Sequence, residues 1–200
     1  MVGDILQVGV PNGIESSMFQ LGKIMLLSVV ATFGTAAITA NAVANTVTAF
    51  QFLPGGAIGL ALVTVVSQAV GAGDYEQARY YTRLLHKYAY GALILLNGAI
   101  ILGVSYILKI YNLSPETGEL AKKIIIFYGI HVCISWPVAF TLPNTLRAAK
   151  DVKYAMIVSI GSMWIVRIGL GILCSKYLGF GMFGVWIGMI ADWYVRSLFF

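Results

Sequence analysis

The sequence predicts an all-α integral membrane protein, folded as a bundle of six transmembrane helices. Hydrophobic residues make up 59% of the 200 residues and charged residues only 10%, whereas soluble domains carry roughly 25% charged residues. Six apolar runs are also long enough to cross a hydrocarbon core about 30 Å thick, which takes roughly 20 helical residues. Because a water-soluble fold of this size needs more polar surface, we expect the chain to lie in a bilayer.

The six predicted helices are separated by short polar or glycine-containing turns. They cover residues 5–33, 36–70, 80–108, 119–146, 154–176 and 182–200. The second run is too long for one straight span, and Pro54 with the glycines after it is expected to bend it in mid-membrane. Pro115 indicates a helix start near the fourth run. No linker or soluble domain is evident, so residues 1–200 are predicted to form a single transmembrane lobe.

Lysine and arginine in the connections predict the orientation in the membrane, because cytoplasmic loops carry an excess of positive charge. The second and fourth connections carry Arg79, Arg83, Lys87, Arg147, Lys150 and Lys153. The other three carry at most Lys109, Lys122, Lys123 and Lys176. This bias predicts a multi-pass protein of the plasma (inner) membrane with both termini in the cytoplasm. The net charge of +5 is spread over these loops, which disfavours a nucleic-acid partner.

The two ends of the chain suggest a longer protein. The first run begins within a few residues of Met1, and the sixth reaches Phe200 without a polar tail. We therefore expect these 200 residues to be part of a longer protein.

Motifs of soluble catalytic centres do not occur, so the chain is predicted not to be an enzyme and to hold no metal. Walker A, HExxH and GxSxG patterns are all missing. Gly71–Asp74 does match the GxGD of intramembrane aspartyl proteases, which need a second carboxylate in the membrane, here Asp192. Asp74 opens a hydrophilic, arginine-rich stretch, which favours a helix N-cap instead.

Polar side chains within the first apolar run are candidate pathway residues. A charged group at mid-bilayer costs about 2–3 kcal/mol, so it must face protein or water. Glu15, Gln20 and Lys23 share one side of the helix with Asn12 and Ser16, within an arc of about 140°. We expect this stripe to line a substrate or ion pathway. The alternative is that Glu15 and Lys23 neutralise each other or that Lys23 reaches toward one interface.

The second run contains a similar stripe. Asn41, Asn45 and Thr48 fall within about 60° of one helical face. Asn41 and Asn45 are predicted to line the same pathway. Hydrogen bonding between helices is the alternative role of these amides.

The fourth run contributes His131, one turn before Ser135, in a helix interrupted by Pro137 and Pro143. Helices broken by proline commonly line cavities because their freed carbonyl groups face water or ligand. His131 is therefore a candidate pathway residue, with a hydrogen-bonded core histidine as the alternative.

The fifth and sixth runs each contribute a charge of opposite sign, Arg167 and Asp192. Two opposite charges inside a membrane are most simply explained as partners. We therefore predict a structural ion pair between these two side chains.

Four stretches have the order and residue types of a known transporter family. They are Gly9–Gly13, Pro54 through Ala78 with a Q-x-x-G-A-x-x-x-x-x-A pattern, Leu146–Asp151, and Ser162, Trp164 and Arg167 followed by Leu178-Gly179 and Gly184–Ile187. Together they resemble the multidrug and toxic-compound extrusion (MATE) family. The resemblance implies the carboxy-terminal lobe of a two-lobed, V-shaped transporter, the last six of twelve helices, with the amino-terminal lobe missing.

The resemblance also implies a function. MATE members are secondary exporters that extrude organic cations and other amphipathic molecules by antiport with Na⁺ or H⁺, without another cofactor. Some members bind the coupling cation with a Glu in the lobe's first helix and an Asp in its fourth. Glu15 falls about one turn before that Glu, and the fourth run has no carboxylate inside the membrane. Coupling through the missing lobe, as in other members, is the remaining possibility.

Two other functions are compatible with the sequence. A lipid-linked saccharide flippase would share the architecture but needs a more cationic cavity, for which only Lys23 and Arg167 are available. An inactive, truncated fragment is the third interpretation of this polypeptide.

Overall fold

The computed structural model describes residues 2–148 and 152–200, with side chains described for residues 9–146 and 153–200. Within these parts the backbone is helical apart from short turns. The α-helices are α1 (Val2–Ala31), α2 (Thr35–Gln51), α3 (Leu53–Gly71), α4 (Tyr75–Ile110), α5 (Pro115–Trp136), α6 (Leu142–Ala148), α7 (Val152–Gly161), α8 (Gly169–Ile172) and α9 (Met182–Phe199). Three π-helical segments join some of them, at Pro137–Thr141, Ser162–Ile168 and Leu173–Tyr177.

Five helical stretches of the described chain are long and apolar enough to cross a membrane. They are Gly9–Ala31, Leu53–Gly71, Tyr75–Ile110, Pro115–Leu146 and Lys153–Tyr177. The sixth predicted run corresponds to α9, which lies outside this set. It carries Asp192 and Arg196, which lower its mean hydropathy, and both side chains are buried within the bundle.

The second predicted run is two helices rather than one bent helix. Phe52 separates α2 from α3, and Pro54 lies in the first turn of α3. Proline lacks the backbone N–H that would continue the hydrogen-bond ladder of α2. At this break Asn97 of α4 donates an amide hydrogen bond to the carbonyl oxygen of Gln51, 3.1 Å away. A neighbouring helix thus satisfies backbone left open by the break.

Two helices, α4 and α5, begin earlier in the sequence than their hydropathy predicts, because capping side chains set their first turns. The Asp74 carboxylate accepts a hydrogen bond from the Gln77 N–H at 2.9 Å, so α4 begins at Tyr75 instead of residue 80. The hydroxyl of Ser114 likewise accepts from the Thr117 N–H, and α5 begins at Pro115 instead of 119. Asp74 is therefore a helix cap in this fold.

Helix α9 packs tightly against the fifth predicted run through two glycines. A Cβ atom at Gly188 would lie 2.7 Å from the Arg167 carbonyl oxygen, and one at Gly184 would lie 2.6 Å from the carbonyl carbon of Cys174. Small residues permit such backbone contact between membrane helices. The contact carries Asp192, one turn beyond Gly188, into the middle of the lobe.

Candidate functional site

A first cavity of about 230 Å³ opens between α1, α2, the π-helical segment Ser162–Ile168 and α9. Its lining combines four polar or charged side chains with an apolar wall. The lining residues are Lys23, Leu26, Leu27, Val30, Asn41, Asn45, Arg167, Val185, Trp186 and Met189. Three residues predicted for the pathway, from two different helices, therefore meet in one cavity.

Hydrogen bonds fix the direction in which Asn41 faces this cavity. The indole N–H of Trp186 donates to Asn41 Oδ1 at 3.2 Å. Because indole nitrogen only donates, the oxygen must face Trp186, and the Asn41 amide N–H₂ group is left without a partner among the described residues. Asn45 Nδ2 instead donates to the Asn41 carbonyl oxygen at 2.8 Å. The interhelical bond that the sequence offered as an alternative thus exists for Asn41, within the cavity wall.

A second cavity of about 300 Å³ lies along the same side of α1, toward its N-terminal half. Its lining residues are Glu15, Ser16, Phe19, Gln20, Lys23, Ala139, Phe140, Pro143, Ser159 and Arg196. Lys23 borders both cavities. Four of the five stripe residues of α1 therefore face this space, and Pro143 of the interrupted fourth run faces it from the opposite wall.

Lys23 and Glu15 are the charged side chains of the α1 stripe. Neither a hydrogen bond nor an ion pair to Lys23 occurs among the described residues. Glu15 is buried, with 8% of its surface exposed. The cation of Lys23 therefore faces the two cavities rather than a protein carboxylate.

A buried charge cluster lies behind both cavities and contains the predicted ion pair together with a second cation. Arg167 Nη1 is 4.0 Å from Asp192 Oδ2, the limit of an ion pair. The closer cation is Arg196, whose Nε donates to Asp192 Oδ1 at 3.0 Å. Ser162 also donates its hydroxyl to Asp192 Oδ1. Asp192 thus pairs with two guanidinium groups. Arg167 borders the first cavity and Arg196 borders the second.

Arg196 is held on several sides at once. Its Nη2 donates to the Ser159 carbonyl oxygen at 2.9 Å. Its guanidinium carbon lies 4.7 Å from the ring centroid of Phe19 and 5.4 Å from that of Phe140, within the range of cation–π attraction. Arg196 is not among the residues predicted from the sequence to lie at the site or in the ion pair. The signal was available, because Asp192 and Arg196 are spaced i,i+4 on one helix, the spacing at which side chains pair.

Two π-helical segments shape the cavity walls. Arg167 lies in Ser162–Ile168 and borders the first cavity, whereas Ala139 and Phe140 lie in Pro137–Thr141 and border the second. A π-helical turn holds an extra residue, which shifts the side chains that follow it around the helix axis. Such segments are frequent at functional sites.

The family model MatE matches residues 11–173 of the chain. The chain belongs to the MATE family. It is 29% identical to the probable multidrug resistance protein NorM of Thermotoga maritima, an alignment that covers 97% of this chain and 42% of that protein. It is 26% identical to the uncharacterized transporter YisQ of Bacillus subtilis, covering 97% of this chain and 42% of that protein. The chain thus spans less than half the length of these relatives.

Solved MATE structures share the fold of this chain. A MATE crystal structure in the bent conformation superposes with a TM-score of 0.89 at 19% identity, over 98% of this chain and 43% of that one. The outward-facing conformation of a multidrug resistance MATE family transporter gives 0.86 at 18% identity, over 97% and 44%. The predicted family and the predicted fold class, an all-α membrane bundle forming one lobe of a transporter, are both confirmed.

His131 lies apart from the two cavities of this MATE lobe. Its Nδ1 is 2.9 Å from the Tyr194 hydroxyl, and its ring packs edge-on against Phe127 with centroids 4.5 Å apart. It therefore bridges α5 and α9 in an aromatic cluster and lines neither cavity. The alternative of a hydrogen-bonded core histidine describes this geometry.

Two sequence features of the MATE chain extend beyond the described residues. The motif Leu146–Asp151 includes residues 149–151, and Lys150, used for the orientation, lies there too. Among the residues that were described, no group of three or more His, Cys, Asp or Glu side chains is placed to hold a metal ion.

Proposed function

We propose that this chain forms one lobe of a membrane exporter that moves small amphipathic molecules in exchange for Na⁺ or H⁺. In this proposal the two cavities along α1 are part of the substrate and ion pathway, which the missing amino-terminal lobe completes. Membership in the MATE family supports transport as the function, and relatives named as multidrug resistance proteins support an amphipathic substrate. These relatives do not favour the alternative of a lipid-linked saccharide flippase.

The observation that carries the proposal is the placement of Lys23. It borders both cavities, with Glu15 lining one and Arg167 lining the other. An ionised side chain without a protein partner is costly at membrane depth, so a fold retains one where water, an ion or a substrate faces it. The low dielectric constant around such a charge also strengthens its interaction with a passing ligand.

The charges divide the pathway into two parts with different preferences. Among its described lining residues the first cavity has Lys23 and Arg167 but no carboxylate, so it suits the apolar body and hydrogen-bond acceptors of a substrate. The second cavity has the carboxylate of Glu15 beside the cations of Lys23 and Arg196. We propose that an organic cation places its positive group, or H⁺ or Na⁺ binds, on the Glu15 side.

Transport in proteoliposomes tests this function. The protein, co-reconstituted with its amino-terminal lobe, should drive uptake of a fluorescent organic cation when a Na⁺ or a pH gradient is imposed. Glu15→Gln keeps size and hydrogen bonding while removing the charge, and we expect it to reduce cation transport severalfold with expression near wild type. Glu119→Gln removes an exposed carboxylate at the start of α5 and serves as the matched control.

Three outcomes would contradict parts of the proposal. Transport that ignores both gradients would exclude the antiport mechanism. Normal transport by Glu15→Gln would remove Glu15 from the pathway. Full recovery in Glu15→Gln/Lys23→Gln would mean that the two residues only balance each other's charge.

A further inference from the structure

A third cavity, of about 320 Å³, lies outside the two cavities of the proposed pathway, between α3, α4 and α6. Its lining residues are Val66, Val70, Tyr75, Ala78, Arg79, Thr82, Arg83 and Thr145. Arg79 and Arg83 are exposed, and neither has a hydrogen bond or ion pair among the described residues. The Thr145 hydroxyl is fully buried and also lacks a partner there. The cavity thus presents two guanidinium groups and a free hydroxyl.

Tyrosines on α4 indicate where this cavity lies in the membrane. Tyr88 and Tyr106 are exposed and 18 residues apart, about 27 Å along a helix, close to the thickness of the hydrocarbon core. Leu95 and Leu102 between them are 77% and 85% exposed, as expected for side chains in contact with lipid tails. Tyrosine concentrates at both membrane interfaces. Tyr88 therefore marks the boundary of the core nearest the third cavity.

Arg83 then falls near the outer edge of the headgroup layer, and Arg79 lies one turn farther out, from where its long side chain can reach back toward the headgroups. Arg83 is five residues and Arg79 nine residues from Tyr88 toward the start of α4, which is about 8 Å and 14 Å along the helix axis. At positions i and i+4 their side chains project from the same face of α4. Beneath them α3 and α4 are held together by a small core of Leu62, Val66, Ala69 and Ala78, which fixes the walls of the cavity.

We propose that this cavity binds the phosphate group of an anionic phospholipid. The two guanidinium groups can hold phosphate oxygens through paired N–H donors, and the Thr145 hydroxyl can donate a further hydrogen bond. Among the described residues no carboxylate lines the cavity, and Glu76, one turn before Arg79, makes no ion pair with it there. Anionic headgroups are favoured over zwitterionic ones because the two positive charges meet no competing ammonium group. Basic pockets between membrane helices are a known form of headgroup site.

Native mass spectrometry of the protein in neutral detergent tests this inference independently of transport. We expect phosphatidylglycerol to bind as one retained lipid per chain and phosphatidylcholine to bind at least about tenfold more weakly. Arg79→Gln/Arg83→Gln should reduce phosphatidylglycerol binding by about tenfold or more. The matched control, Lys109→Gln/Lys176→Gln, removes two exposed charges elsewhere and should leave binding unchanged. Thr145→Val should weaken binding by a smaller factor.

Two further experiments test whether the bound phosphate belongs to a lipid, and whether binding depends on the guanidinium groups or only on positive charge. Inorganic phosphate and glycerol phosphate should compete poorly, because they lack acyl chains to lie along the exposed apolar face of α4. If either compound competed as well as the phospholipid, the cavity would be a site for soluble phosphate rather than for a lipid headgroup. Arg79→Lys/Arg83→Lys keeps the charge but loses the paired donors, so binding equal to wild type would reduce the site to general electrostatic attraction. Unchanged binding in Arg79→Gln/Arg83→Gln would refute the site.

Discussion

Replacing Arg196 with methionine should destabilise the lobe more than any single surface change. The substitution keeps an unbranched side chain of similar reach but removes the 3.0 Å bond to Asp192, the 2.9 Å bond to the Ser159 carbonyl and two aromatic contacts. Asp192 is fully buried, and its remaining cation, Arg167, is 4.0 Å away. Removing one partner of a buried ion pair costs about 3–5 kcal/mol. We expect a decrease of that size in the free energy of unfolding.

A double-mutant cycle separates the ion pair from simple loss of packing. Asp192→Asn alone removes the carboxylate that pairs with two buried guanidinium groups, so it should also destabilise. The double change Asp192→Asn/Arg196→Met removes both members and should cost less than the sum of the single changes, by about 1–3 kcal/mol. Lys109→Met, which removes an exposed cation 5.5 Å from the Tyr106 ring, is the control and should change stability by less than about 0.5 kcal/mol.

Denaturant titration of the protein in micelles, followed by far-ultraviolet circular dichroism, measures these free energies. Additive single and double changes would show that Asp192 and Arg196 act independently. A loss below about 1 kcal/mol for Arg196→Met would show that the cluster is not a main source of stability. Either result would refute the reasoning.

Three further predictions test the packing, the first cavity and the orientation. Gly188→Leu should lower the unfolding free energy by several kcal/mol in the same titration, because its Cβ would overlap the backbone of the fifth predicted run, whereas Gly98→Leu, with open space around its Cβ, should have little effect. Trp186→Phe should leave Asn41 Oδ1 without its hydrogen bond and should not prevent folding. Because this change removes the tryptophan that lines the first cavity, a nitroxide probe bound there should quench the tryptophan fluorescence of the protein less strongly. After alanine replacement of the two native cysteines, Lys87→Cys should react with a membrane-impermeant reagent only from the cytoplasm, and labelling from outside would reverse the orientation.

Five of the six predicted runs overlap helices long and apolar enough to cross a membrane, because the lipid core imposes a length and a composition on each helix. Hydropathy could not locate the ends of α4 and α5, which are set by hydrogen bonds from Asp74 and Ser114 in polar sequence. Nor could it reveal the π-helical segments, because one extra residue in a turn leaves no mark on mean hydropathy. The break at Phe52 was placed within two residues of Pro54, since a missing backbone N–H is a local property.

Some site residues could be predicted from local spacing along one helix, whereas others depend on how the helices pack. Glu15, Gln20 and Lys23 share a cavity because they share one helical face, which spacing alone specifies. Asn41 joins Lys23 only because α1 and α2 pack side by side. His131 gave the same signal as these residues, a polar group in an apolar run, yet it faces Tyr194 and Phe127. The spacing of residues along a helix does not show which other helix or cavity that face of the helix contacts.

The position of Asp192 links the packing of the lobe to the charge of its cavities. Gly184 and Gly188 bring α9 against the fifth predicted run, and that approach sets Asp192 between Arg167 and Arg196. Each arginine also borders a different cavity, so one buried carboxylate holds a cation at both walls. Lys23 has no such anchor among the described residues. The arginines are therefore held in the walls by Asp192, and we expect Lys23 to be the more mobile of the three cations.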